Sequence, residues 1–362
     1  LAVMAVPLDE LLKKMMEVQA SDLHLKVGSP PVMRVDGELH HTTLPTLTPA
    51  DTEAYAQAIF TQRAAVEFRN TGEADFAYGK ASLGRFRVNA YRQRGSVSLV
   101  LRRVLPVTYT FDELALPPIL ERLSHEPRGL VLVTGPTGSG KTTTLASMLD
   151  YMNTQRRLNI ITIEDPIEVL HRDKNSIISQ REIGMDTIDF NEAIRRALRQ
   201  DPDALLIGEM RDPETMRAAM RAAETGHLVL STMHTIDAPE TVNRILDMFP
   251  PHQERQIRMM LAATLRAVIS QRLLERTDGG RIVAAEVLIN NGRVFDRIVD
   301  PAQSMNLLEV MAESEFYGMQ TFDQSILRLF EEGQISFQTA LAAATSPHDL
   351  RVKAEQKGLL AV

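Results

Sequence analysis

The chain has 362 residues, no cysteine and a formal net charge of −7, with 44% hydrophobic and 24% charged residues. A chain of this length is too long for one typical hydrophobic core, which predicts two domains. The lack of cysteine excludes disulfides and thiolate metal sites. The negative charge disfavours a large nucleic-acid interface. Without a membrane-length apolar run or a signal-peptide pattern, we expect a cytoplasmic protein with no direct membrane insertion.

The first part of the chain alternates short helical and strand patterns, which predicts a small α+β domain. An amphipathic pattern predicts a helix over residues 7–20, and alternation predicts a strand over 21–25. A hairpin is expected over residues 32–39 and a helix over 49–68. His24 is a conceivable ligand or base, but nothing nearby completes such a site, so we expect a structural hydrogen bond.

A strand pair rich in arginine is predicted between residues 83 and 104. Alternation places Phe86, Val88 and Ala90 on the core side, so Arg85 and Arg87 share the opposite face. The span contains six arginines, with two of them at a predicted turn: Arg85, Arg87, Arg92, Arg94, Arg102 and Arg103. They form either an ordinary solvated face or a set that reaches the phosphates of a neighbouring subunit's nucleotide.

Three prolines mark residues 106–118 as a linker, and strand and helix patterns alternate from residue 119 onward. This alternation predicts an α/β domain with a mostly parallel sheet flanked by helices. The predicted strands are residues 130–134, 159–163, 204–207, 228–231 and 282–289. The predicted helices are residues 143–152, 192–199, 213–225, 239–248 and 255–271.

A phosphate loop lies between the first of these strands and the first helix. Its glycines let the backbone wrap round a triphosphate and direct N–H groups at it. Lys141 is expected to reach the β- and γ-phosphates and to act in catalysis, and the Thr142 hydroxyl to hold Mg²⁺. The residues predicted to bind the nucleotide are Gly135, Pro136, Thr137, Gly138, Ser139, Gly140, Lys141, Thr142 and Thr143.

Carboxylates end two further predicted strands, where open α/β sheets build their sites. Glu164 and Asp165 are expected beside the phosphate loop, where they suit Mg²⁺, partly through water. Four apolar residues then lead to Gly208 and Glu209, a Walker B pattern with glycine in the usual aspartate position. Glu209 is predicted to orient and deprotonate the attacking water, with Glu164 as the next candidate. Without that aspartate, Mg²⁺ depends on Thr142, Glu164 and Asp165.

Two histidines, His227 and His234, bracket another buried strand. Their spacing does not suit zinc within a helix or hairpin. We therefore expect them at the nucleotide, sensing its γ-phosphate, or at a subunit contact.

Together, in this order, these elements resemble the secretion and pilus ATPases of the type II secretion/type IV pilus superfamily. The shared hallmarks are the phosphate loop, an Asp box around Glu164, the Walker B glutamate Glu209 and a His box from His227 to His234. Type IV pilus retraction ATPases are the most similar branch. Nearly the whole chain is covered, including residues 21–25, 85–89, 208–212, 223–227 and 318–324.

The resemblance implies a hexameric motor that hydrolyses ATP with Mg²⁺ and powers pilus retraction and twitching motility. It implies a PAS-like N-terminal domain over residues 1–105, a linker over 106–118, a RecA-like ATPase domain over 119–300 and a helical C-terminal extension over 301–362. Arginines of the N-terminal domain would contact ATP: Arg87, Arg92 and Arg102. The partner would be the inner-membrane pilus platform protein, which places the motor at the inner face of the cell membrane.

Two departures define the alternatives. Extension ATPases of the superfamily carry a four-cysteine zinc element, which this chain lacks, so an extension role is disfavoured. Retraction ATPases carry an Ala-Ile-Arg-Asn-Leu-Ile motif, where residues 292–299 here keep only the apolar spacing. The alternative function is an accessory ATPase that acts with a second pilus ATPase. A RecA-like nucleic-acid motor is disfavoured, because the chain has no tryptophan and only 5% aromatic residues.

Overall fold

The first of two units of the chain is built on one antiparallel sheet. A computed structural model describes residues 6–80, 82–104, 108–300, 302 and 307–360. These divide into one unit, Leu1–Val107 with Glu168–Leu170, and a second, Thr108–Ile167 with His171–Val362. The predicted domains and linker also include residues 1–5, 81, 105–107, 301, 303–306 and 361–362, which lie outside the described residues.

Six strands of the first unit pair antiparallel in the order β3-β2-β1-β6-β5-β4. The elements are α1 (Leu8–Glu17), β1 (Asp22–Leu25), β2 (Val32–Val35), β3 (Glu38–His41), α2 (Pro49–Ile59), α3 (Gln62–Thr71), β4 (Glu73–Lys80), β5 (Gly84–Gln93) and β6 (Ser96–Val104). The predicted hairpin is confirmed as β2 and β3. Its turn, Asp36-Gly37, has positive φ at both residues, which suits the twist of a hairpin. The predicted core face of β5 is also confirmed, because Phe86, Val88 and Ala90 are buried.

Three local predictions in this unit are wrong. The single helix over residues 49–68 is two helices, because Thr61 accepts a hydrogen bond from the Ala64 N–H and starts α3 anew. Arg92 lies in β5, and the turn is Arg94-Gly95, again with positive φ at both residues. His24 Nε2 is buried and has no hydrogen-bond partner among the described residues, so this nitrogen does not make the expected bond.

The second unit contains a seven-stranded sheet in the order β13-β12-β7-β11-β10-β8-β9, parallel except for the β12–β13 pair. Its strands are β7 (Gly129–Thr134), β8 (Asn159–Glu164), β9 (Ile177–Glu182), β10 (Ala204–Ile207), β11 (Leu228–Met233), β12 (Leu265–Glu275) and β13 (Arg281–Ile289). Its helices are α4 (Ile119–Ser124), α5 (Lys141–Gln155), α6 (Phe190–Ala197), α7 (Pro213–Glu224), α8 (Ala238–Asp247), α9 (Glu254–Thr264), α10 (Gly292–Val299), α11 (Leu307–Ala312), α12 (Phe322–Glu331), α13 (Phe337–Ala343) and α14 (Pro347–Gln356). The predicted α/β class is therefore present.

Helices cover both faces of this sheet. On β7, Leu130 and Leu132 pack in a core with α6 to α11, whereas Val131 and Val133 pack in a core with α4 and α5. Such two-sided burial explains the near-continuous apolar strands. A further cluster joins the ends of β12 and β13 to α12, α13 and α14. No helix in the described ranges is long and apolar enough to cross a membrane.

Two features of the second unit differ from prediction. The helix expected over residues 255–271 ends at Thr264, and the chain continues as β12. Strand β9 lies at the sheet edge and was not predicted. In addition, Phe111 and Leu116, which lie within residues 106–118, are buried in the core of this unit.

Candidate nucleotide-binding and catalytic site

The phosphate loop connects the carboxyl end of β7 to α5. Gly135, Gly138 and Gly140 have φ values of +141°, +80° and +92°, which L side chains rarely adopt. A Cβ on Gly135 would lie 2.5 Å from the Gln271 carbonyl oxygen, so this position also excludes a side chain by contact. Gly140 is the N-cap of α5, so no cap side chain covers the N–H groups of its first turn. The loop therefore presents backbone donors and the positive end of a helix.

Polar side chains within the loop suit a phosphate ligand. Lys141 Nζ donates to the carbonyl oxygens of Gly135 at 2.7 Å and Pro136 at 3.0 Å. Ser139 Oγ is buried, yet it has no hydrogen-bond partner among the described residues. Thr142 is exposed in the first turn of α5 and Thr143 is half-buried. A buried ammonium and a buried hydroxyl without a partner among the described residues, beside the N–H groups of the loop, fit an anionic ligand.

Glu209 follows β10 and has two cationic partners. Its Oε2 lies 2.6 Å from Arg211 Nη2, and its Oε1 lies 3.1 Å from His234 Nε2. Burial raises the pKa of Glu209, but the bonds and charges of Arg211 and His234 outweigh burial and hold the pKa below its ordinary value. The carboxylate is therefore ionised at neutral pH and oriented through both oxygens. This is the state that a water-orienting base requires.

Glu164 accepts hydrogen bonds from Thr162 Oγ1 at 2.6 Å and Gln180 Nε2 at 3.1 Å. The Gly208 N–H donates to the Ile163 carbonyl, and a Cβ on Gly208 would lie 3.4 Å from the Glu164 Cα. The ends of β8 and β10 thus approach closely where the usual Walker B aspartate would stand. A Cβ at position 208 would make an ordinary van der Waals contact there.

Glu164 ends β8 and Asp165 follows it, at the same carboxyl edge of the sheet as the phosphate loop but with β11 and β10 between β8 and β7. Three strand spacings amount to about 14 Å. The expected place of Glu164 and Asp165 beside the loop stays a prediction. Among the described residues, no three His, Asp or Glu side chains form a ready-made metal cluster. Magnesium commonly keeps several waters and takes ligands from substrate phosphates. A role for Thr142, Glu164 and Asp165 at Mg²⁺ stays a prediction.

The two histidines occupy opposite ends of β11. Leu228 pairs with Gly129 at the start of β7, whereas Met233 pairs with Thr134 immediately before the loop. His227 Nδ1 lies 3.0 Å from the Ala222 carbonyl oxygen, at the far edge of the sheet. Six strand residues separate that edge from the loop, about 20 Å. The structure therefore brings His234, and not His227, to the carboxyl edge that carries Glu209.

Three predicted arginines belong to the first unit. Arg87 Nη1 lies 3.2 Å from Glu168 Oε1 in the same unit. Arg92 lies over the Phe68 ring, 5.1 Å from its centroid. Arg102 Nε donates to Asp22 Oδ1 at 2.7 Å, an acid that is almost fully buried. Contact of these arginines with a nucleotide stays a prediction.

Two residues at the site were not singled out from the sequence. Arg211 stands two positions after Glu209, a spacing typical of side chains on one face of extended backbone, so a signal for it existed. Gln271 fell inside a predicted helix, which concealed its position beside Gly135.

Comparison with known proteins assigns the family. The sequence profile described as Type II/IV secretion system protein matches residues 2–297. The chain belongs to this family. Its predicted membership and its predicted fold class are both confirmed.

Relatives within the type II/IV secretion family align along nearly the whole chain. The type IV pilus retraction ATPase PilT of Pseudomonas aeruginosa is 42% identical over 340 residues, 94% of this chain and 98% of PilT. The type IV pilus ATPase PilU of the same organism is 40% identical over 345 residues, 95% of this chain and 90% of PilU. A crystal structure of the pilus retraction motor PilT with bound ADP has a TM-score of 0.88 and 42% identity, covering 96% of this chain and 99% of that one.

Proposed function

We propose that this chain is an ATP-hydrolysing motor that powers type IV pilus retraction. The observation that carries the proposal is a phosphate loop and an ionised, oriented Glu209 in a chain that aligns with PilT along 94% of its length. The bound ADP of the PilT crystal structure supports an adenine nucleotide as the ligand.

The side chains divide the work of hydrolysis. The loop N–H groups and Lys141 bind and orient the β- and γ-phosphates. Glu209 holds the attacking water in line and accepts its proton, while Arg211 and His234 keep the carboxylate aimed. Thr142, with Glu164 and Asp165 through water, would hold Mg²⁺, and the ion would supply positive charge to neutralise the phosphates.

We expect the working form to be a homo-hexamer at the inner face of the cell membrane. Its partner would be the pilus platform protein, and a second pilus ATPase would join it if the motor is mixed. Arg87, Arg92 and Arg102 would add positive charge at the phosphates during hydrolysis. These assignments rest on the family likeness.

The test is steady-state ATP hydrolysis and ADP binding by the purified protein, with Lys141→Ala and Glu209→Gln. Lys141→Ala should lose nucleotide binding, since it removes the charge nearest the phosphates. Glu209→Gln should keep binding but lose about a hundredfold or more in turnover. Glu214→Gln, an exposed acid of α7, is the matched control and should behave like the unaltered protein. Full turnover in Glu209→Gln would assign the base elsewhere, with Glu164 next.

An accessory ATPase is the second candidate. Two observations favour this candidate. The identities to PilT and PilU are nearly equal, 42% and 40%, and the sequence of α10 is altered. Nucleotide binding without turnover by the protein alone would support it. A co-expressed second pilus ATPase should then restore turnover to the mixture.

A further inference from the structure

Strand β12 extends past its neighbour β7 and runs alongside the phosphate loop. The two strands pair in parallel up to Ser270 and Thr134, whose side chains share a 2.8 Å hydrogen bond and are fully buried. Beyond this pair β7 turns into the loop, whereas β12 continues to Glu275. The next residue of β12, Gln271, is therefore the first that faces the loop itself.

Gln271 contacts both ends of the loop. Its carbonyl oxygen lies so close to Gly135 that a Cβ there would be only 2.5 Å away. Its side-chain Nε2 donates to Thr144 Oγ1 at 2.7 Å, and the same hydroxyl lies 3.1 Å from Gln271 Oε1. Thr144 is in the first turn of α5, which ends the loop. One residue thus touches the first glycine of the loop and the helix that receives the phosphates.

Burying the polar Gln271–Thr144 pair in a core carries a desolvation cost. Gln271 is fully buried and Thr144 is 1% exposed. Two apolar side chains of similar shape would fill the same space without desolvating an amide, whereas a directed hydrogen bond also fixes orientation. A pair that adds little to stability but fixes one geometry is suited to a loop whose N–H groups must point at a ligand.

We infer that Gln271 is a positioning residue that holds the phosphate loop in the form that receives the nucleotide. The inference rests on the proposed function, because it concerns the same ligand. Gln271 acts through Thr144 and Gly135 and does not touch the phosphates. Breaking its side-chain bond should weaken nucleotide binding more than it weakens the fold.

The experiment measures the dissociation constant of a fluorescent ADP analogue, and the thermal midpoint with and without ADP, for the full chain. Gln271→Met keeps the side-chain volume and removes the hydrogen bond between Gln271 and Thr144. Thr144→Val removes the same hydrogen bond by deleting the threonine hydroxyl. Thr144→Ser keeps that hydroxyl. We expect Gln271→Met and Thr144→Val to weaken binding about tenfold and to shrink the ADP-induced rise in midpoint. Thr144→Ser should bind like the unaltered protein.

Asn153→Leu is the matched control. Asn153 is fully buried in the same helix and bonds to the Arg172 carbonyl at 2.7 Å, but at the end of α5 away from the loop. It should lower the midpoint and leave ADP binding unchanged. Unaltered ADP affinity in both Gln271→Met and Thr144→Val, with a lowered midpoint, would overturn the inference. Failure of the unaltered protein to bind ADP would overturn the proposed function instead.

Discussion

At the residue scale, the charge state of Glu209 depends on a side chain that is itself largely in water. Arg211 is 75% exposed and reaches back to the carboxylate from two residues along the chain. Without Arg211, the burial that raises the pKa of Glu209 would be opposed chiefly by His234. Arg211 thus protects the basic form of Glu209 against mild acid.

This predicts a pH effect for Arg211→Gln. The pKa of Glu209 should rise, and because only the ionised carboxylate accepts a proton, the acidic limb of the ATPase pH profile should move to higher pH. The ratio of turnover at pH 5.5 to turnover at pH 7.5 should fall below that of the unaltered protein. Arg221→Gln, an exposed arginine of α7, is the control. An unmoved acidic limb would show that Arg211 does not set the charge of Glu209.

At the element scale, β13 contacts the N-terminus of α8 through a buried acid. Glu286 is 2% exposed and accepts a hydrogen bond from the Ala238 N–H at 2.7 Å. Burial raises the pKa of Glu286 to about 7, although the bond from Ala238 opposes it; nearby Asp237 adds to the rise and Arg272 lowers it. The acid is therefore close to half protonated at neutral pH in the folded state.

Glu286 should make stability depend on pH. The unfolded pKa is near 4.5 and the folded pKa about 7, so the folded state holds an extra proton between them. The contribution of Glu286 to the free energy of unfolding is fully present below pH 4.5 and is lost as the pH rises through about 7. Glu286→Gln keeps the acceptor for Ala238 but stays neutral, so its unfolding free energy relative to the unaltered protein should rise by at most about 3 kcal/mol across this range.

Urea unfolding at pH 5, 6, 7 and 8 measures this difference. Asp247→Asn, an exposed acid at the other end of α8, should show no such trend. A difference between Glu286→Gln and the unaltered protein that is constant with pH would contradict the predicted pKa.

The C-terminal helices α12 and α13 contact β12, the strand that runs alongside the phosphate loop. Arg272 follows Gln271 in β12, and alternation in a strand sends the two side chains to opposite faces. Its guanidinium lies 3.8 Å from the Phe322 ring centroid, and Nη1 donates to the Ala343 carbonyl at 2.6 Å. The loop and the helices α12 and α13 therefore share adjacent residues of one strand.

At the scale of the whole molecule, we predict six copies of the 40.4-kDa chain in the working assembly. The prediction follows from the family likeness. Light scattering with ADP and without nucleotide gives the mass directly. A monomer under both conditions, at concentrations where turnover is measured, would exclude a ring as the active form.

Much of the site could be predicted from the sequence because its chemistry depends on contiguous residues. The loop from Gly135 to Thr142 needs glycines at set intervals, and Glu209 is marked by the apolar strand before it. The α/β class follows from alternating strand and helix patterns, and the family resemblance rested on these same segments. Each of these signals is local in the chain.

Only the tertiary structure decided the order of the strands and the partners of the site residues. Gln271 and Thr144 are far apart in sequence, and no local pattern relates them. Residues 265–271 of β12 are buried on both faces, except for Arg266, so they have no strand period and the sequence predicts a helix there. The sheet order placed two strands between Glu164 and the strand that leads into the loop, and it brought His234 to Glu209. The sequence by itself determined the chemistry within each segment, and packing between distant segments determined which of them meet.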